Sequence, residues 1–263
     1  MFTRDDLRRL PGPRQMPNPC VMRFPSPLRR GTLLRRYKRF LADVQLEDGA
    51  EITAAVPNTG TMMGLCEPGS RVWLSRSESP TRKYPHTWEL VETDLGKGPT
   101  LVGINTGLPN KLVEEAIAAN KLSELGGYPS LRREVKYGVN SRIDLLLEAA
   151  NGQRCYVEVK NVHLSRQAGL AEFPDCVSER AAKHLIELAG MVAQGHRAVM
   201  VYLVQRSDTR AFKLAGDLDP KYLTGFNSAR AAGVEALAYA CDVRIDGIDV
   251  TDCLPLHPPS HLS

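Results

Sequence analysis

The stretch SRIDLLLEAANGQRCYVEVKNV, residues 141–162, holds two apolar runs of the kind that form buried β-strands, yet charged residues interrupt both runs. Asp144 stands in the first run, and Glu158 and Lys160 stand in the second. Because side chains alternate faces along a strand, Glu158 and Lys160 share one face and are ~6.6 Å apart at a rise of ~3.3 Å per residue. The two runs therefore predict a pair of strands that carries charged chemistry into a core.

The alternation of side chains also assigns each strand an apolar face. That face is predicted to carry Ile143, Leu145 and Leu147 in the first strand and Cys155, Val157 and Val159 in the second. If the strands pair, as consecutive strands usually do, Asp144 and Glu158 converge on the other face with Lys160 beside them. The alternative is a solvated face on which Glu158 pairs with Lys160, while Asp144 pairs with Arg142 or Arg154.

The converging residues have the chemistry of a metal-dependent nuclease. Two carboxylates, together with a backbone carbonyl and waters, suit a hard divalent cation such as Mg²⁺ or Mn²⁺, which attracts a phosphodiester. Such a cation polarises a phosphoryl oxygen and acidifies a bound water, and Lys160 can steady the nucleophile or the developing charge. We therefore expect Asp144 and Glu158 to bind metal and Lys160 to be catalytic.

The second half of the chain alternates helix and strand around this pair. A helix is predicted within 108–125, strands near 131–137, 142–148 and 154–162, and a helix over about 178–194. The run RAVMVYLVQ predicts a buried strand, another helix follows Asp219-Pro220, and GVEALAYACDV closes with a strand. This order predicts an α/β domain with a mixed central sheet over 100–250, followed by a C-terminal tail over 251–263.

The first half has the pattern of a small β-barrel, so the whole chain is α+β. The segment GTLLRRYKRFLADVQLEDGAEITAAV predicts a strand, a turn at Asp48-Gly49 and a second strand, and RVWLSRS and HTWELVET add two more. Closely spaced prolines and glycines predict an all-β domain over 22–95, with DLGKGPT as a linker and 1–21 as an extension. Asn-Thr-Gly occurs at 58–60 and at 105–107, and both copies are predicted to be turns.

Composition limits the location and the chemistry of the protein. The 263 residues carry 34 Lys and Arg against 30 Asp and Glu, a net charge of +4 that permits an anionic partner without requiring one. The charged start and the lack of an apolar run of ~18 residues predict a cytoplasmic protein that does not span a membrane. Six cysteines, at 20, 66, 155, 176, 241 and 253, form no CxxC pair, so we expect no zinc site and no disulfide framework.

Basic residues mark a candidate nucleic-acid interface. The segment LRRGTLLRRYKRF has six basic residues and no acid, and alternation places Arg35, Tyr37 and Arg39 on one strand face. OB-type barrels hold nucleic acid in such basic grooves by phosphate contacts and base stacking. The alternative is a solvated barrel edge. The predicted contacts are Arg35, Arg36, Tyr37, Lys38, Arg39, Arg82, Lys83, Arg180 and Lys183.

The helix predicted near 178–194 is amphipathic. Arg180, Lys183 and Glu187 are predicted to share its polar face, opposite Leu185 and Leu188. Periodicity alone indicates an ordinary helix with one solvated side. His184 lies between the two faces, and we expect it to form hydrogen bonds rather than bind metal.

Two resemblances extend these predictions. The arrangement of Asp144, Glu158 and Lys160 on consecutive strands after an acidic helix resembles the PD-(D/E)XK nuclease superfamily. Blocks along most of the chain, among them PNTGTM, RKYPHTWEL, VEVKNV, FPDCVSER and KHLIEL, resemble the sugar fermentation stimulation protein A family. That resemblance implies an OB-like β-barrel followed by a restriction-endonuclease-like domain, together with DNA binding and a role in the regulation of sugar metabolism.

The family resemblance also carries site residues. It implies metal ligation by Asp144 and Glu158 and the lysine role for Lys160. It also matches Glu115 to the family's acidic helix position better than Glu114, a choice that helical periodicity alone does not make, and this adds Glu115 as a third expected metal ligand and catalytic residue. The chain departs from the family pattern where Ala55-Val56 precede PNTG in place of His-Cys, so no catalytic histidine stands at position 55. A second departure is His163, which stands where Thr is usual.

Two other functions stay open at this point. A non-enzymatic DNA-binding regulator would keep the acidic cluster only as structure and would bind DNA without a divalent metal. An enzyme for a small phosphorylated metabolite would show no salt-dependent DNA affinity, although no phosphate-binding loop supports it. The residues do not distinguish DNA from RNA or single strand from duplex, and they leave homo-oligomerisation open.

Overall fold

A computed structural model describes residues 22–138 and 141–257, which form an N-terminal β-barrel and a larger mixed sheet with helices. The predicted extension over 1–21 and residues 258–263 of the predicted tail lie outside the described residues. No helix within the described ranges has the length and apolar character needed to cross a membrane.

After the short strand β1 (Met22–Arg23), five strands close a barrel. They are β2 (Arg29–Tyr37), β3 (Leu41–Leu46), β4 (Glu51–Ala55), β5 (Arg71–Arg76) and β6 (His86–Thr93). Neighbours pair antiparallel in the order β4-β3-β2-β5-β6, and a parallel bridge between Ala55 and Thr87 closes the ring. Apolar side chains such as Leu33, Val44 and Trp88 fill the interior. The predicted OB-like barrel is confirmed.

The barrel corrects two predictions. The segment predicted as one strand before Asp48-Gly49 contains β2 and β3, because the chain reverses at Lys38, Arg39 and Phe40. Arg39 therefore lies in a turn and not on a strand face with Arg35. The predicted linker DLGKGPT is a hairpin turn, in which Asp94 Oδ1 accepts three backbone N–H groups, and β7 (Thr100–Gly103) then pairs with β6.

The rest of the chain builds a mixed sheet and a separate three-stranded sheet. In chain order its elements are α1 (Pro109–Ala118), β8 (Ser130–Tyr137), β9 (Ser141–Glu148), β10 (Arg154–Val162), β11 (Leu164–Gln167), β12 (Leu170–Phe173), α2 (Glu179–Ala193), β13 (Arg197–Val204), β14 (Ala211–Leu214), α3 (Pro220–Ala231), β15 (Glu235–Arg244) and β16 (Gly247–Cys253). Seven strands lie in the order β1-β16-β15-β13-β10-β9-β8, with β10, β13 and β15 parallel. The strands β11, β12 and β14 form the separate sheet. The predicted mixed sheet is confirmed, and β11, β12, β14 and β16 were not predicted.

Helices cover both faces of this sheet. Leu112 and Val113 of α1 pack with Leu145 and Val157 on one face, whereas α2 and α3 cover the other face. Strands buried on both sides read as continuous apolar runs, as β13 does. The predicted solvated face is wrong, because the side of β10 that carries Glu158 lies under α2, although the Glu158–Lys160 ion pair of that alternative is formed.

Strand β9 departs from the predicted alternation. Ile143 was expected beside Leu145, but it joins Leu146 in the core under α2. The reason lies at Asp144. Opposite it in β8 stands Glu134, whose φ angle of 53° interrupts the regular pairing of the two strands. The two faces of β9 therefore exchange at the position of the candidate metal ligand.

Candidate active site

Strands β9 and β10 separate where the acidic residues lie. They pair only as far as Leu145 and Val157, while β10 continues beside β13 to its end. In the gap, Asp144 Oδ2 accepts the backbone N–H of Val159 at 2.8 Å. This hydrogen bond takes the place of a backbone hydrogen bond between β9 and β10. Asp144 Oδ1 accepts the side-chain N–H of Asn110, in the first turn of α1, at 2.8 Å. These two bonds fix the orientation of the Asp144 carboxylate.

Glu158 lies beside this fork, with 2% of its surface exposed. Its Oε1 atom accepts a hydrogen bond from Lys160 Nζ at 2.7 Å and contacts Nδ1 of His184, which is also buried. Its Oε2 atom is buried and has no hydrogen-bond partner among the described residues. One oxygen of the carboxylate is therefore held, and the other is unpaired within the described part of the chain. His184 forms hydrogen bonds, as predicted.

The two carboxylates differ in their electrostatics. Burial and then the charge of Glu158 raise the pKa of Asp144 above its usual range, against the hydrogen bonds from Val159 and Asn110. Burial also acts to raise the pKa of Glu158, but the hydrogen bond from His184 and the charge of Lys160 outweigh burial and hold that pKa below its usual range. The repulsion from Glu158 that helps to raise the pKa of Asp144 would be relieved by a cation bound beside both acids.

The carboxylates face a pocket of about 300 Å³ between the barrel and the mixed sheet. Asp144, Glu158 and Lys160 form its acidic wall, so we call it the acidic pocket. Asn58 and Thr106 line it near the barrel, and Arg180 and His184 line it from α2, together with Asn161, His163 and Asp175. Both parts of the chain therefore contribute to one site.

A chain of hydrogen bonds runs along one side of the acidic pocket. Gln205 Nε2 donates to Asn161 Oδ1 at 2.6 Å, which orients the Asn161 amide toward Nδ1 of His163 at 3.3 Å. The other ring nitrogen of His163 then carries the proton and donates to Asp175 Oδ2 at 3.3 Å. Asp175 Oδ2 also accepts the N–H of Met62, in a barrel loop, at 2.9 Å. Asp175 thereby joins the two parts of the protein.

Glu115 lies outside the acidic pocket. Its carboxylate is 3.6 Å from Lys111 Nζ on the exposed side of α1, which contributes Asn110 to the pocket wall instead. Across residues 22–138 and 141–257, no three His, Cys, Asp or Glu side chains are grouped as metal ligands. The structure thus brings together Asp144, Glu158 and Lys160, and it leaves the expected third ligand aside.

The two residues of helix α2 that were predicted to contact nucleic acid lie in different surroundings. Arg180 is exposed at the acidic pocket, whereas Lys183 lies one turn further on, 3.6 Å from Glu187. Glu187 was predicted on the solvated face, but only 9% of it is exposed. The reason is a tertiary contact. The end of β8 covers this turn of α2, and a Cβ at Gly138 would come within 3.1 Å of Glu187 Oε1.

Some of the residues predicted to contact nucleic acid on the barrel are engaged by other groups of the protein, and others are not. Arg36 donates to the backbone oxygens of four residues, Arg39, Asn58, Gly60 and Thr61, and so organises the loop beside the acidic pocket. Arg35 pairs with Asp43 at 2.8 Å and covers the Tyr37 ring at 5.1 Å. Lys38 and Arg39 are exposed and form no ion pair within the described part of the chain. In the β5–β6 loop, Arg82 donates to Thr87 at 2.6 Å and Lys83 lies over the Tyr84 ring.

The two copies of the Asn-Thr-Gly tripeptide contribute to the acidic pocket. Both Asn-Thr-Gly copies are turns, as predicted, in which the Asn side chain accepts the Gly N–H at 2.9 Å. The two turns lie side by side, because Thr106 donates to the carbonyl oxygen of Pro57. Asn58 and Thr106 then line the acidic pocket. Asn110 and Asp175, by contrast, had no signal in the sequence that pointed to the site.

Known proteins resemble this chain over most of its length. Residues 34–104 match the family model described as the SfsA N-terminal OB domain, and residues 107–247 match the sugar fermentation stimulation protein RE domain. The sugar fermentation stimulation protein homolog of Azorhizobium caulinodans is 60% identical over 235 residues, 89% of this chain and 99% of the relative. The homolog of Rhodospirillum centenum is 61% identical over the same shares of the two chains.

A solved structure is similar as well. Pyrococcus furiosus SfsA in complex with Ca²⁺ superposes with a TM-score of 0.81 at 30% sequence identity. The alignment covers 91% of this chain and 99% of that chain. The similarity therefore includes both the barrel and the mixed sheet.

Proposed function

The chain belongs to the sugar fermentation stimulation protein family, and from that premise we propose that it is a divalent-cation-dependent phosphodiesterase acting on nucleic acid. The observation that carries this proposal is the pair of acids at the strand fork, of which Glu158 is buried and Asp144 half-buried. Glu158 Oε2 has no hydrogen-bond partner among the described residues, and Lys160 lies against the other oxygen of the same carboxylate. Such an oxygen could hold a divalent cation, and the cation would supply the Lewis acidity on which metal-assisted phosphodiester cleavage depends.

The residues at the fork fit a small divalent cation such as Mg²⁺ or Mn²⁺. Asp144 and Glu158 would hold it, and one or two carboxylates with waters are sufficient for Mg²⁺. Glu115 is therefore not needed as a ligand, although it stays a prediction. The relative from Pyrococcus furiosus was solved in complex with Ca²⁺, which is also a hard cation. When bound, the cation would supply Lewis acidity and a more acidic water.

The side chains around the fork have distinct tasks in this proposal. Lys160, with 13% of its side chain exposed, would hold the negative charge that develops on a phosphoryl oxygen. His184 orients Glu158, while Asn110 and the N–H of Val159 orient Asp144. Arg180 at the mouth of the pocket would attract the phosphodiester.

The partner in this proposal is DNA, as the family resemblance implies. Besides Arg180, the exposed cations Lys38, Arg39, Arg82 and Lys83 would hold phosphates without reading sequence. A cytoplasmic location and a role in sugar regulation complete the proposal.

The test is a cleavage assay on supercoiled plasmid and single-stranded oligonucleotides, in Mg²⁺, in Mn²⁺ and in EDTA. We expect metal-dependent cleavage that is lost in Asp144→Asn and in Lys160→Gln. Glu148→Gln is the matched control, because Glu148 stands on β9 too but pairs with Arg132 and Arg154. Cleavage that persists in both variants would show that the assignment of Asp144 and Lys160 to the cleavage site is wrong.

A DNA-binding regulator without catalysis is the second candidate. It is favoured by the absence of a third acidic ligand near Asp144 and Glu158 within the ranges that the structure describes. Salt-dependent DNA binding that needs no divalent cation, with no product under any ionic condition, would establish this function in place of the first.

A further inference from the structure

The turn between β2 and β3 presents two cations and an aromatic ring to solvent. Lys38, Arg39 and Phe40 are all exposed, and 51% of the Phe40 surface is accessible. An isolated exposed apolar side chain is ordinary on a protein surface. Here, however, the ring directly follows two cations that form no ion pair within the described residues.

The backbone of this turn is strained at the two cationic residues. Lys38 and Arg39 have φ angles of 51° and 64°, in the left-handed region that glycine and asparagine occupy most easily. A glycine pair would form the same reversal at lower cost. Strained residues of this kind concentrate at binding and catalytic sites.

The turn is fixed close to the acidic pocket. The Phe40 carbonyl accepts the N–H of Val56 at 2.8 Å, and the chain reaches Asn58 in the pocket wall two residues later. Arg36 donates to the carbonyls of both Arg39 and Asn58 at 2.8 Å. Two extended residues span at most ~7 Å. At ~3.4 Å per stacked nucleotide, the turn is therefore roughly two to three nucleotides from the pocket.

Phe40, and not Tyr37, offers a free aromatic face. The Tyr37 ring is covered by Arg35, and its hydroxyl donates to Asp43 at 3.1 Å. A ring can stack only on a base whose own face is open. Within a duplex each face is covered by the neighbouring base pair, so an exposed ring selects an unpaired or terminal base.

We infer that residues 38–40 form a binding element for single-stranded nucleic acid, in which Phe40 stacks on an unpaired base and Lys38 and Arg39 hold the flanking phosphates. This inference rests on the proposed function and specifies its substrate as a single strand or the frayed end of a duplex. The strand bound at the turn leads along the Asn58 loop to the acidic pocket.

The test measures binding of a mixed-sequence single-stranded oligonucleotide that carries 2-aminopurine, in EDTA so that no cleavage occurs. Fluorescence anisotropy reports affinity, and quenching of 2-aminopurine reports stacking. We expect Phe40→Ala to lose roughly 5- to 150-fold in affinity, which is the effect of one stacked base, together with the quenching. Phe40→Trp should keep both. Ile245→Ala is the matched control, because Ile245 is similarly exposed, at 55%, in the turn between β15 and β16.

The outcomes separate this inference from the proposed function. If Phe40→Ala binds the single strand as the wild type does, or loses affinity equally for a relaxed, covalently closed duplex that has no ends, the inference is overturned. Metal-dependent cleavage lost in Asp144→Asn would still support the proposed function in that case. If the wild type binds no nucleic acid at any salt concentration, the proposed function itself fails.

Discussion

Asp144 shows how a single side chain can turn a regular sheet into a site. Its carboxylate takes the place of a strand neighbour by accepting the N–H of Val159, so β9 and β10 can separate without leaving that group unpaired. The separation exposes the two acids to the acidic pocket. The same position is therefore structural and, in the proposed function, a metal ligand.

The first residue-scale prediction concerns the repulsion between Asp144 and Glu158. Asp144→Asn removes one of the two neighbouring charges while its amide oxygen can still accept from Val159, so we expect the melting temperature in EDTA to stay level or rise. Calorimetric titration with Mg²⁺ should show binding in the wild type and none in the variant. A clear loss of stability in EDTA would mean that the charge of Asp144 is compensated by groups other than a cation.

A second prediction decides the role of Glu115. The structure places its carboxylate beside Lys111, and an exposed ion pair of this kind contributes at most ~1 kcal/mol. We therefore expect Glu115→Gln to retain cleavage activity to within about fivefold. Lys111→Gln, which leaves Glu115 without this partner, is the control. A loss as large as that of Asp144→Asn would show that Glu115 moves into the acidic pocket when the cation binds.

At the scale of elements, hydrophobic periodicity predicted most strands and helices, but tertiary contacts decided the details. The strands β8, β9 and β10 were predictable because apolar runs of that length, bounded by turn residues, have few other solutions. The 38–40 turn was missed because it contains neither glycine nor asparagine. Glu187 was placed on the wrong face because helical periodicity cannot show that the end of β8 covers it.

The same limits explain which site residues were predictable. Asp144, Glu158 and Lys160 were found because charges interrupt buried strands, and such interruptions are visible in one segment of sequence. Asn110, Asp175 and Asn58 lie in other segments and reach the pocket only through folding. Nothing in the local sequence marked Asn110 or Asp175, and only the repeated Asn-Thr-Gly tripeptide marked Asn58.

The prediction at this scale separates structural from phosphate-binding arginines on β2. Arg36→Ala leaves several loop carbonyls without their donor, and we expect a loss of about 2–3 kcal/mol in the free energy of unfolding by urea. Arg35→Ala is the control. It removes an exposed pair with Asp43 and should cost less than ~1 kcal/mol. Equal stability of the two variants would return Arg36 to the predicted nucleic-acid contacts.

For the whole molecule, the barrel and the mixed sheet act as one unit around the acidic pocket. Gly103 at the end of the barrel donates to the carbonyl of Gln205 at 2.9 Å, and Val102 forms a bridge with Arg206. Arg206 is almost fully buried and also donates to the carbonyl of His163 at 3.0 Å. These contacts place the barrel loops against the acidic strands, so in the proposed function a substrate bound by the barrel would already lie at the acidic pocket.

Asp175 tests the contact between the barrel and the mixed sheet. It accepts hydrogen bonds from Met62 in the barrel and from His163 in the wall of the acidic pocket. Burial acts to raise its pKa, but His163 outweighs burial and lowers the pKa from 3.8 to about 2. A depressed pKa stabilises the fold above the ordinary pKa, and that stability is lost as the pH falls toward the folded value. Asp175→Asn should therefore lower the free energy of unfolding by about 2 kcal/mol at pH 7, with the difference from wild type vanishing near pH 2. Glu51→Gln, an exposed change on the barrel, should show no such pH dependence in parallel urea titrations. A difference that is constant with pH would mean that the Asp175 carboxylate acts by shape and not by charge.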